Sequence, residues 1–128
     1  MAFDITLPLP PSVNSAYYHN HNRHMTFLSK AAKDWFEEVG WLLKGYKNLK
    51  TINDYVYLDL DFWLPRKNCD AHNYLKILCD GLQRCKVVSD VRYLMTRIQS
   101  VQFDTKSPRV AVRIVIPDSP GIDRDIKI

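Results

Sequence analysis

The chain has 128 residues and a mass of 15.0 kDa, the size of one domain. With 46% hydrophobic residues and no low-complexity run or internal repeat, it is too apolar to be a disordered segment. Lys and Arg exceed Asp and Glu by 18 to 14, and this mild excess tilts toward a polyanionic partner without requiring one.

No stretch approaches the roughly eighteen apolar residues of a membrane span, so no membrane partner is expected. The opening residues hold Asp4 and run into Pro8, Pro10 and Pro11, unlike a secretory leader, and the expected setting is the cytoplasm. Cys69, Cys79 and Cys85 are odd in number, which argues against a disulfide framework. A structural zinc site with His72 is a weak alternative, because no close C-x-x-C pair exists.

Phe3 to Leu9 alternates well enough for a first strand, stopped or left at an edge by its prolines. Ser12 to Thr26, rich in Asn, Tyr and His, reads as irregular. Ser29 suits a helix cap, with a helix over about 30–44 that presents Ala32, Trp35, Phe36, Val39, Leu42 and Leu43. Tyr55 to Leu64 reads as a strand with Val56, Leu58, Leu60 and Phe62 on one face and Tyr57, Asp59, Asp61 and Trp63 on the other. A second helix is expected over 70–85, striped by Leu75, Leu78 and Leu82. Val87-Val88 is a short apolar element. Strands follow near 93–103 and 110–116, and a polar tail runs from Pro117 to Ile128. The order implies one small α/β domain over 1–116, a mixed sheet with helices packed on one face, and a C-terminal tail over 117–128.

The informative stretch is 65–90. Asp70, Asp80 and Asp90 lie there among Arg66, Lys67, Lys76, Arg84 and Lys86, so positive charge can gather phosphates while carboxylates hold a cation. Asp70 reads equally as a helix cap or a metal ligand. Asp70 and His72 can address one point only if a helix begins beside them, because residues two apart do not share a helix face. Lys76, one turn beyond His72, can reach a phosphate or pair with Asp80 at i,i+4. Asp59 and Asp61 share a strand face that either supports the site or meets solvent. Phosphodiester hydrolysis needs charge neutralised on the phosphoryl oxygens and an activated water, and a divalent cation on two or three carboxylates supplies both.

These motifs, in their order, resemble the RusA family of crossover-junction (Holliday-junction) endodeoxyribonucleases of bacteria and their phages. The opening Ile5-Thr6-Leu7-Pro8-Leu9-Pro10-Pro11-Ser12-Val13-Asn14 resembles the family's strand and Pro-Pro-Ser-x-Asn segment, with Tyr17-Tyr18 at its aromatic positions. Asp70, Asn73, Lys76, Asp80 and Leu82 match its Asp-x-Asp-Asn-x-x-Lys and following Asp-x-Leu, and the likeness covers roughly 3–116. The resemblance implies a RusA-like fold and a homodimer that nicks four-way DNA junctions with Mg²⁺ or Mn²⁺. It implies Asp70, His72 and Asp90 as metal ligands, with Lys76 beside them in the catalytic set. Arg66, Lys67, Asn73, Asn14 and Tyr18 would contact DNA.

The sequence departs from the family at two places. His72 stands where the motif has its second carboxylate, and imidazole suits Mn²⁺ or Zn²⁺ better than Mg²⁺. Ser89-Asp90 replaces a paired Asp-Asp, and a one-residue gap sets Asp90 on the catalytic member. Junction endonuclease is therefore the expected function, with a catalytically weak or inactive branched-DNA-binding protein as the alternative. A small protein-interaction domain is the third class, motivated by the modest charge.

Overall fold

The computed structural model describes residues 2–20, 25–46 and 50–117. The tail expected beyond Pro117 lies outside the described residues.

Strand β1 (Ala2–Pro8) leads through a short helix α1 (Val13–Ala16) into a two-stranded ribbon, β2 (Tyr17–Asn20) with β3 (Met25–Leu28). Helix α2 (Lys30–Leu43) follows, then β4 (Val56–Leu64), α3 (Leu75–Arg84), β5 (Leu94–Phe103) and β6 (Arg109–Val115). The main sheet has the order β1-β6-β4-β5, antiparallel except for the parallel pair β4–β5. It is a mixed sheet in a single small α/β domain, with the helices packed on one face, as the sequence implies.

Strict alternation in β4 places Val56, Leu58, Leu60, Phe62 and Leu64 in the core. They join Leu7, Val110, Val112 and Ile114 of the flanking strands, Ala32, Trp35, Phe36 and Val39 of α2, and Ile77, Leu78 and Leu82 of α3. The apolar face predicted for α2 is correct at those four positions, whereas Leu42 is exposed and Leu43 only partly buried. Helices α2 and α3 meet closely at Gly81. A methyl group there would sit 2.5 Å from Trp35 Cζ3, while the Trp35 indole N–H donates to the Pro8 carbonyl at 2.8 Å.

Two sequence expectations are corrected. The stretch 12–26, read as irregular, contains α1, β2 and the start of β3. Tyr, His and Asn on the ribbon give no apolar alternation, so period-2 patterning is invisible there. The helix expected over 70–85 is split: a 3₁₀ turn spans Ala71–Tyr74 before α3 begins at Leu75. The cause is local. The Asp70 carboxylate accepts the His72 N–H at 3.0 Å and the Asp70 carbonyl accepts the Asn73 N–H at 3.0 Å, which tightens the first turn.

Because β4 and β5 are parallel, a crossover must join them, and residues 65–93 form it. Helix α3 ends inside this crossover. Val87 N–H bonds the Leu82 carbonyl, Lys86 N–H bonds the Gln83 carbonyl, and Lys86 takes a left-handed φ of 62°. This is a Schellman cap with lysine at the position glycine usually fills. It turns the chain so that Val88 bridges Ile52 and Asp90 starts the next turn.

Candidate active site

Asp70 and Asp90 occupy equivalent local positions. Each precedes a 3₁₀ turn and accepts the backbone N–H two residues on, from His72 at 3.0 Å and from Arg92 at 2.9 Å. Both side chains are solvent-exposed. The reading of Asp70 as a cap is therefore correct, and capping engages only one of its two oxygens.

Splitting the helix brings His72 back onto Asp70. His72 Nδ1 lies 3.1 Å from Asp70 Oδ1, with both side chains exposed. The His72 backbone N–H, and then its ring, hold the Asp70 carboxyl below the usual aspartate value. The pair helps line a cleft of about 680 Å³, with Cys69, Ala71, Leu75, Thr96, Ile98 and Val101 as the other lining residues. The β5 wall owes its composition to the register shift between Leu60 and Asp61. Ile98 pairs with Leu60 and Ser100 with Asp61, which leaves Gln99 as the extra residue. The shift lets Thr96, Ile98 and Val101 all line the cleft.

Lys76, Arg66, Lys67 and Asp90 do not line this cleft. Lys76 follows one turn after His72, exposed, with Nζ 3.1 Å from Asp80 Oδ2. Asp80, and more weakly Tyr17, hold the Lys76 ammonium above the usual lysine value. Arg66 and Lys67 are exposed in the turn that precedes Asp70, where the Arg66 carbonyl accepts the Cys69 N–H at 3.2 Å. Asn73 is half-buried within the 3₁₀ turn. Asn14 is exposed on α1, and Tyr18 is exposed on β2 with its ring stacked on Phe27 at 5.5 Å.

Asp59 and Asp61 lie away from the site. The Arg97 guanidinium grips Asp59 with bonds of 2.6 and 2.8 Å, and the Ser100 hydroxyl donates to Asp61. They stand on the sheet face opposite the helices, as the alternation of β4 dictates.

Among the described residues no three His, Cys, Asp or Glu side chains converge closely enough to hold a metal ion. Asp70 and His72 supply two neighbouring donors, and Asp90 does not join them. Such a pair does not fit a closed protein cage. It does fit a cation that keeps several waters and takes further oxygens from phosphate, with the imidazole favouring Mn²⁺ over Mg²⁺.

Sequence reasoning weighed Cys69 only as a zinc partner of His72, and missed the β5 wall. Arg66 and Tyr74 act on Cys69: the Tyr74 hydroxyl, then Arg66, lower its thiol pKa, while burial and Cys69 push the Tyr74 phenol up to about 12. The β5 wall had no signal, because the register shift that assembles it is a pairing property.

Comparison with known families bears on the same residues. The family model described as Endodeoxyribonuclease RusA matches residues 8–115. The chain belongs to the RusA family. The match spans β1's end through β6 and so includes the ribbon, the crossover with Asp70, His72, Lys76 and Asp90, and both walls of the cleft. A search among curated proteins finds no match. No helix of the described residues is long and apolar enough to cross a membrane.

Proposed function

We propose that this RusA-family chain is a structure-specific endodeoxyribonuclease that resolves four-way DNA junctions by cation-assisted phosphodiester hydrolysis. The observation that carries the reading is the Asp70–His72 pair, 3.1 Å apart in the lining of a cleft, within a chain matched to the family over 8–115.

Asp70 and His72 would hold the cation; Asp90 has the third ligand's place in the motif order but stands apart from that pair, and would have to move toward it to share the ion. When bound, Mg²⁺ or Mn²⁺ neutralises charge on the phosphoryl oxygens and lowers the pKa of an attacking water. Lys76 offers its ammonium to the scissile phosphate and stabilises the charge that develops there. Arg66 and Lys67 bind the backbone and set the register of the DNA without reading sequence. Asn73 adds a polar contact at the turn. Asn14 and Tyr18, from α1 and the ribbon, meet the junction, where an exposed ring can stack on an unpaired base. The working unit is a homodimer, since two sites related by a twofold axis nick two symmetrically placed strands. The setting is the bacterial cytoplasm, with the chain host- or phage-encoded.

The test is cleavage of an end-labelled synthetic four-way junction, beside a linear duplex of the same sequence, with Mg²⁺ and then Mn²⁺. Paired nicks in the junction alone, lost in Asp70→Asn with binding retained, are expected. Loss of both binding and cleavage in a still-folded Asp70→Asn would refute the role given to Asp70.

One observation favours a second reading, a junction-binding protein with little or no activity. His72 occupies a carboxylate position and Asp90 stands apart from the Asp70–His72 pair. Cleavage that appears only in His72→Asp would establish it.

A further inference from the structure

Among the described residues two Lys–Asp pairs stand at i,i+4 on helices, and they differ. Lys30–Asp34 on α2 closes at 2.9 Å with both side chains mostly exposed, an ordinary solvated pair. Lys76–Asp80 on α3 closes at 3.1 Å, but Asp80 is only 27% exposed. A third group completes it: the Tyr17 hydroxyl donates to the same Asp80 Oδ2 across 63 residues of sequence, at a long 3.5 Å. Lys76 Nζ also lies 5.7 Å from the centre of the Tyr17 ring.

Helix stability does not account for this arrangement. An acid placed after its lysine at i,i+4 is the less favourable order along a helix. What the arrangement does fix is direction. A lysine side chain has four rotatable bonds, and one exposed on a helix samples many rotamers. Asp80 restricts that sampling, and Tyr17 restricts Asp80 from a separate element, the first residue of β2, so the ammonium is held against the ribbon.

We infer that Asp80 and Tyr17 are positioning residues for Lys76, aiming its ammonium from α3 and coupling that aim to the β2–β3 ribbon. The inference rests on the nuclease reading, in which Lys76 meets the scissile phosphate. Asp80 touches neither substrate nor cation and acts through Lys76. Bound phosphate takes over the ammonium's contacts from Asp80, and no bond is made or broken in that exchange. Tyr18, next to Tyr17 on the same strand, is exposed on the ribbon's other face.

The experiment is a double-mutant cycle on junction cleavage in the full chain, using Lys76→Ala, Asp80→Ala and the double variant. Asp80→Ala should lower kcat about tenfold with KM nearly unchanged, the scale of a mis-aimed catalytic group. The double variant should be no slower than Lys76→Ala alone, because Asp80 has nothing left to position. Asp80→Glu should recover part of the loss, and Tyr17→Phe should lose a few-fold. Full multiplication of the two losses, or wild-type cleavage by Asp80→Ala, overturns the inference. A purely structural role would lower the Tm without changing kcat of the folded fraction.

A second readout is independent of activity. In protein carrying ¹³Cε-labelled lysine, the Lys76 titration midpoint should fall in Asp80→Asn, and an unmoved midpoint overturns the pairing. If the wild type fails to cut any junction, the nuclease reading fails, while this titration still decides whether Asp80 holds Lys76.

Discussion

Two pairs of aspartates, one on β4 and one on the turns of the β4–β5 crossover, differ in what holds them. Asp59 and Asp61 stand on the open face of β4, gripped by Arg97 and bonded by Ser100. Asp70 and Asp90 stand on turns, exposed, each spending one oxygen on the backbone N–H two residues ahead. A carboxylate already neutralised by a bidentate guanidinium has little left for a cation. A capping carboxylate spends only one oxygen on the backbone, although at Asp90 the other faces the Arg92 guanidinium at 4.0 Å. Position in the fold thus separates acids that stabilise a sheet from acids that can do chemistry.

The largest effect should come from exchanging charge between these sets. Asp70→Asn keeps a cap but removes the anionic donor, and junction cleavage should fall at least about a hundredfold while gel-shift affinity holds or rises. Asp59→Asn in the same assay should cut at the wild-type rate, and a comparable loss there would erase the distinction. Gly81→Ala reaches the turns indirectly, by forcing α3 away from Trp35. It should destabilise the fold by about 1–3 kcal/mol in urea melts, and an unchanged midpoint would mean the helices yield freely.

Smaller changes sharpen the comparison. His72→Asp should raise Mg²⁺-supported cleavage about tenfold and narrow the preference for Mn²⁺, measured as initial rates in each cation. In urea melts Asp59→Asn should lose about 1 kcal/mol or less, since Arg97 is partly exposed. The smallest effect is acid titration at Asp104, held below its usual 3.8 by Arg109 and the Ser107 and Lys106 N–H groups. Its folded-state pKa is depressed, so its stabilisation is present above pH 3.8 and is lost as pH falls through the lower folded value. Asp104→Asn should flatten that part of the stability–pH curve.

Much of this molecule was legible in the chain itself. The alternation of β4 announced its buried face, Ser29 announced the start of α2 by accepting the Ala32 N–H, and the spacing of Asp70, Asn73, Lys76 and Asp80 carried the family. The ribbon was not legible, since its residues pair by backbone bonds without an apolar face. The 3₁₀ turn was not legible either, because Asp70 serves equally as the cap of a longer helix.

The sequence by itself determined the fold class, the core faces and the family, because periodicity and local spacing are properties of neighbouring residues. Only the tertiary structure decided which acids remain available, that Tyr17 reaches Asp80, and that β5 walls the Asp70 cleft. Each of those depends on pairing register or on contacts between residues far apart in the chain, and hydrophobic pattern leaves both unspecified.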